Sequence, residues 1–555
     1  MVQASAVRSE RRREATQLQS RVASPVGGLN FVNSTMDFPV NDAYVLDNII
    51  PKPFGCEIRK GWRNWIPVAN KFSAGVRTII PFSAEQPTFS RLFAAPAVNP
   101  STLHTINTQG AAPVLSLTPS TNSDVPGEWY YTNLVTIGGN FLLAVAAGAG
   151  YYTFSSPAGV DAWVEHVNGA GAGQIQWPVG SALTTKDICF VWIWKNRVWF
   201  LVRNSSVAYY LPVSQLSGQL TAFDFGQQFS VGGSLLWATT WTYDSGDGID
   251  DSLILASSEG QVVVYVGTDP DSAQTFQLKG RWFAGRFPAG RRNFCQHGGD
   301  VLFLSEYGVV SISDLVSGKL HTANLTGSVG YKINPKLSDL VTFYIDSKYW
   351  FMTPYASEEL LYIGTPIVDV SGNKQHLGMN SLTNAWCTFS GMDTLSAAVW
   401  KGQFIFGSSD GMVSRGFTEY LDGTNSAGTV PGTAMTARIQ GTFGDYDSPN
   451  KNKRMLRIKV YGLGDTDPTF YARFLAEYNT SAPILAPQPD QVIGTSLWDT
   501  ALWDSGLWSE GGGSFDRWFG VTGYGKKLSL QLAIRGAGRV VYTDHEALHE
   551  DGIGL

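Results

Sequence analysis

Short apolar runs separated by small polar turns dominate the middle of this 555-residue chain. From about residue 130 to 415 one theme recurs, in which two apolar stretches flank a turn that contains Ser, Gly or Glu. At residues 253–265, for example, LILA and VVVY flank the turn SSEGQ. Each such unit predicts a β-hairpin, because strands are short apolar runs bounded by turn residues. The six units begin at Phe141, Val198, Leu253, Leu302, Tyr349 and Phe404.

The spacing of these hairpins predicts the architecture. They recur with a period of roughly fifty residues, which is typical of β-propeller blades. We therefore predict a mostly β protein with a propeller-like core of about six blades, a seventh being left open. Large aromatic rings lie between the hairpins, and we interpret them as fillers of the wedge between radiating sheets rather than as platforms for sugars. These rings are Trp192, Trp194, Trp237, Trp241, Trp282 and Trp400.

The pattern changes on both sides of the repeats, so we divide the chain into four segments. Residues 1–24 are polar and predict an N-terminal arm, flexible or helical, that is either solvated or ordered on a neighbouring subunit. Residues 25–130 predict extended and β segments that pack on the propeller, which occupies residues 131–425. Alternating apolar and polar positions in residues 426–555 predict an additional C-terminal β-sandwich-like domain.

Composition adds an expectation of assembly. Only 15% of the residues are charged, against roughly 25% in ordinary soluble domains. Such uncharged surface is often covered by copies of the protein or by partners. The net charge of −6 supplies no basic field for nucleic-acid binding, although an acidic wall would let DNA pass. No run approaches the roughly 18 apolar residues of a membrane span, and the N-terminal stretch lacks the apolar core of a secretory signal.

The four cysteines are far apart and follow no CxxC spacing. They stand mostly in apolar stretches, so we predict buried free thiols in a chain made in a reducing cytoplasm. They are Cys56, Cys189, Cys295 and Cys387.

Two constellations could hold a metal ion. His545, Glu546 and His549 fit the HExxH zinc motif, which requires both imidazoles on one face of a helix. The motif directly follows a strand pattern near the C-terminus, which favours a chance match. The Gly/Asp-rich stretch at residues 244–251 could wrap a cation such as Ca²⁺, or its carboxylates could cap backbone N–H groups in a turn. Its weak candidate ligands are Asp244, Asp247, Asp250 and Asp251.

Two further clusters are candidates for interaction. Arg286, Arg291 and Arg292 form a local basic cluster that could contact phosphates or an acidic partner, or could be a solvated turn. Trp498, Trp503 and Trp508 are spaced five apart in a Gly/Ser-rich loop. They could pack between subunits, pack within the domain or bind sugar. No nucleophile elbow or phosphate loop occurs, so the sequence predicts no catalytic residue and no cofactor.

Eight short phrases of sequence carry a resemblance to a known family. They stand at residues 21–30 (RVASPVGGLN), 42–51, 59–62, 210–212, 223–225, 241–251, 259–270 and 298–304. Together they resemble the tail nozzle proteins of short-tailed bacteriophages, which are six-copy rings at the distal end of the tail. The resemblance covers roughly residues 20–315, and residues beyond about 430 have no counterpart in it.

The resemblance implies a structural component of the virion tail, made in the host cytoplasm. It implies a homo-oligomer, a hexamer, that lines the genome-ejection channel, contacts a tail adaptor ring and holds tail fibres. Double-stranded DNA would pass without specific binding, and no catalytic residue is implied. The alternative is a β-propeller that binds glycans or degrades polysaccharide at a surface. A metal-dependent hydrolase depends only on the HExxH match.

Overall fold

The computed structural model describes residues 17–244, 249–272, 274–320, 325–368, 374–465, 468–479 and 513–552. The chain divides into two compact units. The propeller unit comprises residues 29–32 and 59–435, and the terminal unit is built from the described parts of residues 1–28, 33–58 and 436–555. Each unit is described by itself.

The six predicted hairpins each form part of a separate radial sheet, which confirms the mostly β fold and the six predicted blades. Numbered in chain order, blade 1 has strands Tyr130–Thr136, Gly139–Ala146, Gly150–Ser155 and Ala162–His166; blade 2 has Ile188–Trp194, Arg197–Val202, Val207–Tyr210 and Thr221–Asp224; blade 3 has Leu235–Asp244, Ile249–Ser257, Gln261–Gly267 and Phe276–Phe283. Blade 4 has Phe294–His297, Asp300–Ser305 and Gly308–Ser311; blade 5 has Phe351–Tyr355, Leu360–Gly364, Gln375–Asn380 and Trp386–Ser390; blade 6 has Ser396–Trp400, Gln403–Gly407 and Val413–Gly416.

A further four-stranded sheet lies between blade 6 and blade 1, and we call it the closing sheet. Its strands are Val76–Phe82, Arg91–Pro96, Leu103–Thr105 and Val114–Leu117. On one side Ser396 Oγ donates to the Val76 carbonyl at 2.9 Å. On the other side Phe82 packs edge-on against Phe154 of blade 1, with ring centroids 5.1 Å apart. The described residues therefore carry seven radial sheets, and the sheet at 76–117 lies where the sequence predicted only extended and β segments.

A strand from the N-terminal side of the chain completes blade 6. Trp62–Asn64 pairs antiparallel with Val413–Gly416, so the ring is sealed between segments 350 residues apart. On its other side this strand pairs in parallel with Leu421–Thr424, which in turn pairs with Thr433–Ala434.

A buried ion pair holds the same closure. The Arg59 guanidinium donates to both carboxylate oxygens of Asp422, at 2.9 and 2.7 Å, and to the Ser390 carbonyl at 2.8 Å. The Arg59 side chain is completely buried. A guanidinium can donate two parallel hydrogen bonds to one carboxylate. This contact therefore holds the segment before Trp62–Asn64 against Ser390 of blade 5 and against Asp422, which follows blade 6.

Helices are few and short in the described part of the propeller unit. The α-helices are Ile312–Val316 and Asn334–Phe343, and the 3₁₀ helices are Val68–Asn70, Pro87–Phe89, Pro157–Gly159, Thr185–Asp187, Gly226–Gln228, Tyr331–Ile333 and Ala356–Glu358. A parallel pair of two-residue strands joins Ile175–Gln176 to Gly218–Gln219. None of the described helices has the length and apolar character needed to cross a bilayer.

The aromatic rings form the core between blades, as the sequence predicted. Trp192 stacks on Trp199 within blade 2 at 5.5 Å between centroids, and Trp237 of blade 3 stacks on Phe294 of blade 4 at 4.6 Å. Of the predicted filler rings, five are buried and Trp282 is partly buried against the same core. These side chains are therefore occupied in packing rather than presented to a sugar.

The terminal unit contains two sheets. In the first, Ile49–Lys52, Gly55–Ile58, Val540–Asp551, Lys453–Gly464 and Gly513–Gly520 follow one another, with Gln17–Ala23 paired to Val540–Asp551 and Tyr524–Gly525 paired to Lys453–Gly464. In the second, the order is Asp42–Asp47, Thr436–Gly441, Leu528–Arg535 and Thr469–Ala476. The remaining strand of the described residues is Gly28–Leu29, which has only two residues.

Two predictions from the sequence concern the terminal unit. The part of the predicted arm that is described, Gln17–Ala23, is a strand paired in register with the chain's own residues 544–550 rather than a helix. Every second residue of this strand is exposed and the residues between are less exposed, as in a strand with one face against the protein. The β-sandwich-like C-terminal domain stays a prediction. All four cysteines are buried and none forms a disulfide bond, as predicted.

Candidate functional site

The first strands of the blades lie nearest the propeller axis and enclose a central cavity of about 410 Å³. Its lining comes from the first strand of the closing sheet and of blades 1, 2, 4, 5 and 6, together with the segment that leads into blade 4. A volume of this size falls in the range of small-molecule sites, roughly 300 to 1,000 Å³. The cavity is therefore the candidate site that the ring itself creates.

Aromatic and aliphatic groups form most of the central cavity's wall. Tyr130, Tyr131, Phe190, Phe294 and Phe351 contribute rings. Burial raises the pKa of Tyr131 to about 12, and the Arg292 charge opposes that rise. Both the burial of this hydroxyl and the apolar lining indicate a local environment of low polarity, in which charge interactions are stronger than in water.

Two guanidinium groups enter this wall from the segment before blade 4. Arg291 and Arg292 both line the central cavity. Arg292 Nη1 donates to the Arg77 carbonyl at 2.7 Å, which holds its side chain against the closing sheet. The Arg291 Nε atom is buried and has no hydrogen-bond partner among the described residues. A buried donor without a partner lowers the stability of the fold by about 1–3 kcal/mol.

A second, polar cavity of about 300 Å³ adjoins the first at Tyr130 and Arg291, which line both. It is formed where the first strands begin and by the loops between second and third strands. Its charged lining residues are Asp124, Glu128, Arg203, Arg291 and Lys348.

Most of the charges in the polar cavity neutralise one another. Arg203 contacts Asp187 at 2.6 Å and Asp124 at 2.5 Å, and these carboxylates raise the pKa of Arg203. Lys348 lies 3.9 Å from Glu128, which also accepts a hydrogen bond of 2.7 Å from the Tyr130 hydroxyl. Burial and, secondarily, the Glu128 charge raise the pKa of Tyr130. No ion pair is formed by Arg291 or by Arg292 among the described residues, and Arg292 differs in that it donates to the Arg77 carbonyl.

The basic cluster that the sequence singled out is thus separated by the fold. Arg286 is exposed and forms a two-pronged contact with Glu306, at 3.0 and 2.8 Å. This ion pair raises the pKa of Arg286. Arg291 and Arg292 instead line the central cavity. Neighbours in sequence therefore do not form one surface patch.

The HExxH match falls within a strand. His545, Glu546 and His549 belong to Val540–Asp551, where alternate residues face opposite sides. Four residues of extended chain span roughly 13 Å, so the two imidazoles cannot bind one ion as they would on a helix. Glu546 accepts a hydrogen bond of 2.8 Å from the Tyr461 hydroxyl. Among the described residues no group of three or more His, Cys, Asp or Glu side chains is placed to hold a metal.

The remaining sequence candidates are only partly described. Asp251 accepts a hydrogen bond of 2.9 Å from Thr242 Oγ1 and lies 3.4 Å from Lys195 Nζ, so its carboxylate is engaged. Asp247 and the side chains of Asp244 and Asp250 lie outside the described residues, as do Trp498, Trp503 and Trp508. Apart from Arg291, the charged residues of the polar cavity were not foreseen, because they come from separate segments and share no local motif.

Comparison with known proteins adds little to this geometry. No protein-family model matches the chain, and no curated protein matches it. Among solved structures, a computationally designed protein, Ika8, is 8% identical, with 64% of this chain and 100% of that chain covered and a TM-score of 0.35. YCF48 bound to a D1 peptide is 11% identical, with 66% and 99% covered and a TM-score of 0.35. Sqt1 of Saccharomyces cerevisiae is 11% identical, with 64% and 99% covered and a TM-score of 0.35.

Proposed function

We propose that this chain is a structural protein of a short-tailed bacteriophage tail, and that its copies assemble into a ring, a hexamer, around the genome-ejection channel. The resemblance of residues 20–315 to tail nozzle proteins supports the tail assignment. In this role the protein is not an enzyme and needs no cofactor. It docks to an adaptor ring and to fibres, lets DNA pass without specific binding, and is made in the host cytoplasm before incorporation into the virion.

The single observation that carries the assembly is a group of exposed apolar side chains at the outer edges of the closing sheet and of blade 1, which we call the outer strip. It consists of Val114 and Leu115 of the closing sheet and Val160, Val164 and Val167 at the outer edge of blade 1. Val114 is 65% exposed and Leu115 is 55% exposed. Clustered apolar side chains on a surface are typical of sites covered by another protein.

The two outermost strands that carry the strip are coupled. Trp163 Nε1 donates to Ser116 Oγ at 3.0 Å, and Ser120 Oγ donates to Glu165 at 2.9 Å. In the described sheets, Val114–Leu117 and Ala162–His166 each pair on one edge only. An open edge beside apolar side chains invites a partner chain. In a ring of identical subunits, that partner is the neighbouring copy.

The test is the mass of the purified chain by light scattering, followed by negative-stain imaging. We expect a closed ring with six times the 60.3 kDa mass of the chain, alone or once the adaptor ring is added. The double variant L115K/V164K should weaken assembly, because it places two charges in an apolar contact. The matched control is V213K, since Val213 is 49% exposed and Val164 is 48% exposed but Val213 lies in blade 2 outside the strip.

A chain that stays monomeric under both conditions would contradict the proposal. So would a ring that L115K/V164K and V213K affect equally, because the strip would then not be the interface. The glycan-binding or polysaccharide-degrading alternative depends on the tryptophan loop at residues 497–508, which lies outside the described residues. A persistent monomer that binds glycans would favour that alternative.

A further inference from the structure

Arg291 is half-buried, carries a charge and lies where two cavities meet, and neither packing nor assembly explains this combination. Its guanidinium lies in the wall shared by the central and polar cavities. Its Nε atom is out of contact with water and has no partner among the described residues. A buried N–H donor is normally hydrogen-bonded, because leaving it without a partner is costly. An anion in the cavity would supply the missing partner.

The surrounding groups define what kind of anion fits. None of the described residues that line the central cavity is an Asp or a Glu, so nothing in its wall repels a negative charge. The nearest acidic neighbour from the adjoining cavity is Glu128, and it is engaged by Tyr130 and Lys348. Arg292 stands beside Arg291 in the wall and adds a second positive charge.

The lining of the central cavity also indicates what kind of molecule carries the anion. Tyr130, Tyr131, Phe190, Phe294 and Phe351 present a largely apolar lining with ring surfaces. Flat ring molecules, and the C–H faces of sugars, pack favourably on such rings. A cavity of about 410 Å³ accommodates a single ring with its substituents rather than a polymer chain.

The geometry points to the central cavity as a binding site for a small carboxylate carried on a ring-shaped body, with Arg291 as the residue that recognises the carboxylate. A carboxylate matches the guanidinium fork in two parallel hydrogen bonds. It carries one negative charge, whereas inorganic phosphate is a mixture of the monoanion and the dianion near neutral pH, and the dianion loses more hydration energy on entering an apolar wall. This inference concerns a site within one chain, so it is independent of the proposed assembly.

Two kinds of small molecule carry a carboxylate on a ring, aromatic carboxylates and acidic sugars. The experiment distinguishes between them. Isothermal titration of the full chain would use benzoate and glucuronate as probes. Benzamide and glucose are their neutral counterparts, and inorganic phosphate tests for a general anion site. We expect saturable binding of one carboxylate, at least tenfold tighter than its neutral counterpart and than phosphate. The preferred carboxylate identifies the source.

Variants then assign the binding to Arg291. R291Q removes the charge and the fork, and should weaken carboxylate binding about ten- to hundredfold. R291K keeps the charge without the fork and should give an intermediate loss. R286Q is the matched control, because Arg286 precedes the same blade but is exposed and paired with Glu306. It should bind like the wild type.

Several results would overturn the inference. One is the absence of saturable binding of both carboxylates up to about 10 mM. Others are equal binding of benzoate and benzamide, or unchanged binding in R291Q. Tighter binding of phosphate would mean an anion site of another kind. Should R291Q fail to fold, R291K decides the outcome, since unchanged affinity in that variant also removes the role of the guanidinium fork.

Discussion

Removing the carboxylate of Asp422 tests the claim that a buried ion pair seals the propeller. In D422A the Arg59 guanidinium loses two charge-assisted hydrogen bonds, of 2.9 and 2.7 Å, and keeps its contact with the Ser390 carbonyl at 2.8 Å. Each lost bond to a charged group is worth about 1.5–3 kcal/mol. The Arg59 side chain is completely buried and the Asp422 side chain is 15% exposed, so water can replace the lost carboxylate only in part. We expect D422A to lose about 3–5 kcal/mol of unfolding free energy.

The assay is urea denaturation followed by tryptophan fluorescence, arranged as a double-mutant cycle. R59M and the double variant R59M/D422A complete the cycle, with an expected coupling energy of about 2–3 kcal/mol. The matched control is E306A, which breaks the exposed contact between Arg286 and Glu306. An exposed pair contributes about 1 kcal/mol or less, so E306A should be nearly neutral.

Two results would refute this reasoning. The first is a loss in D422A no larger than the loss in E306A. The second is additivity of R59M and D422A within about 0.5 kcal/mol, which would mean that the two side chains do not stabilise the fold through each other.

Three further predictions follow from burial and backbone geometry. Burial lowers the pKa of His376 and of His545 to about 3. As the pH falls below 6.5, these imidazoles are therefore protonated in the unfolded chain before they are protonated in the folded chain. Each histidine should lower the free energy of unfolding by about 2 kcal/mol at pH 5. Urea unfolding at pH 7 and at pH 5 checks this, and an equal pH dependence in wild type and H545Q would contradict it. A Cβ at Gly260 would lie 2.5 Å from the Gly285 carbonyl, at a φ of +85°. G260A should therefore lose about 2 kcal/mol more than G402A, whose Cβ meets nothing within 4 Å at a φ of +74°, and equal losses would be contrary to this expectation. Burial raises the pKa of Cys56 to about 12, and all four thiols are buried, so the native protein should not react with Ellman's reagent until urea is added. Immediate reaction of one equivalent would speak against that burial.

The blades were predictable because each contains its own signal. Two apolar runs and a small turn are enough to define a hairpin such as residues 253–265, and the regular spacing then indicates a ring. The closing sheet escaped prediction because residues 83–90, between its first two strands, form a longer connection with Pro and polar residues instead of the small turn. Extended and β segments were predicted for this part of the chain, but their place in the ring was not.

Contacts between distant segments left no local pattern to read. The strand Trp62–Asn64 is only three residues long, and its pairing with blade 6 depends on residues that follow much later in the chain. The candidate site has the same character. Arg291 and Arg292 were visible as basic residues, but their separation from Arg286 follows from where blade 4 begins. Whether a guanidinium is paired is decided by tertiary structure, not by its neighbours in sequence.

The late pairing of blade 6 has a consequence for the order of events during synthesis. A ribosome adds about 5–20 residues per second, so it needs roughly 20–70 s to synthesise the chain between Trp62–Asn64 and its partner strand Val413–Gly416. Throughout that interval Trp62–Asn64 has no partner strand from blade 6, and hairpins already made can pack only on one another. The pairing of Trp62–Asn64 with blade 6 therefore forms only after residue 416 has been translated. Until then the strand Trp62–Asn64 of one chain can also pair with the partner strand of a second copy, which would exchange this element between chains.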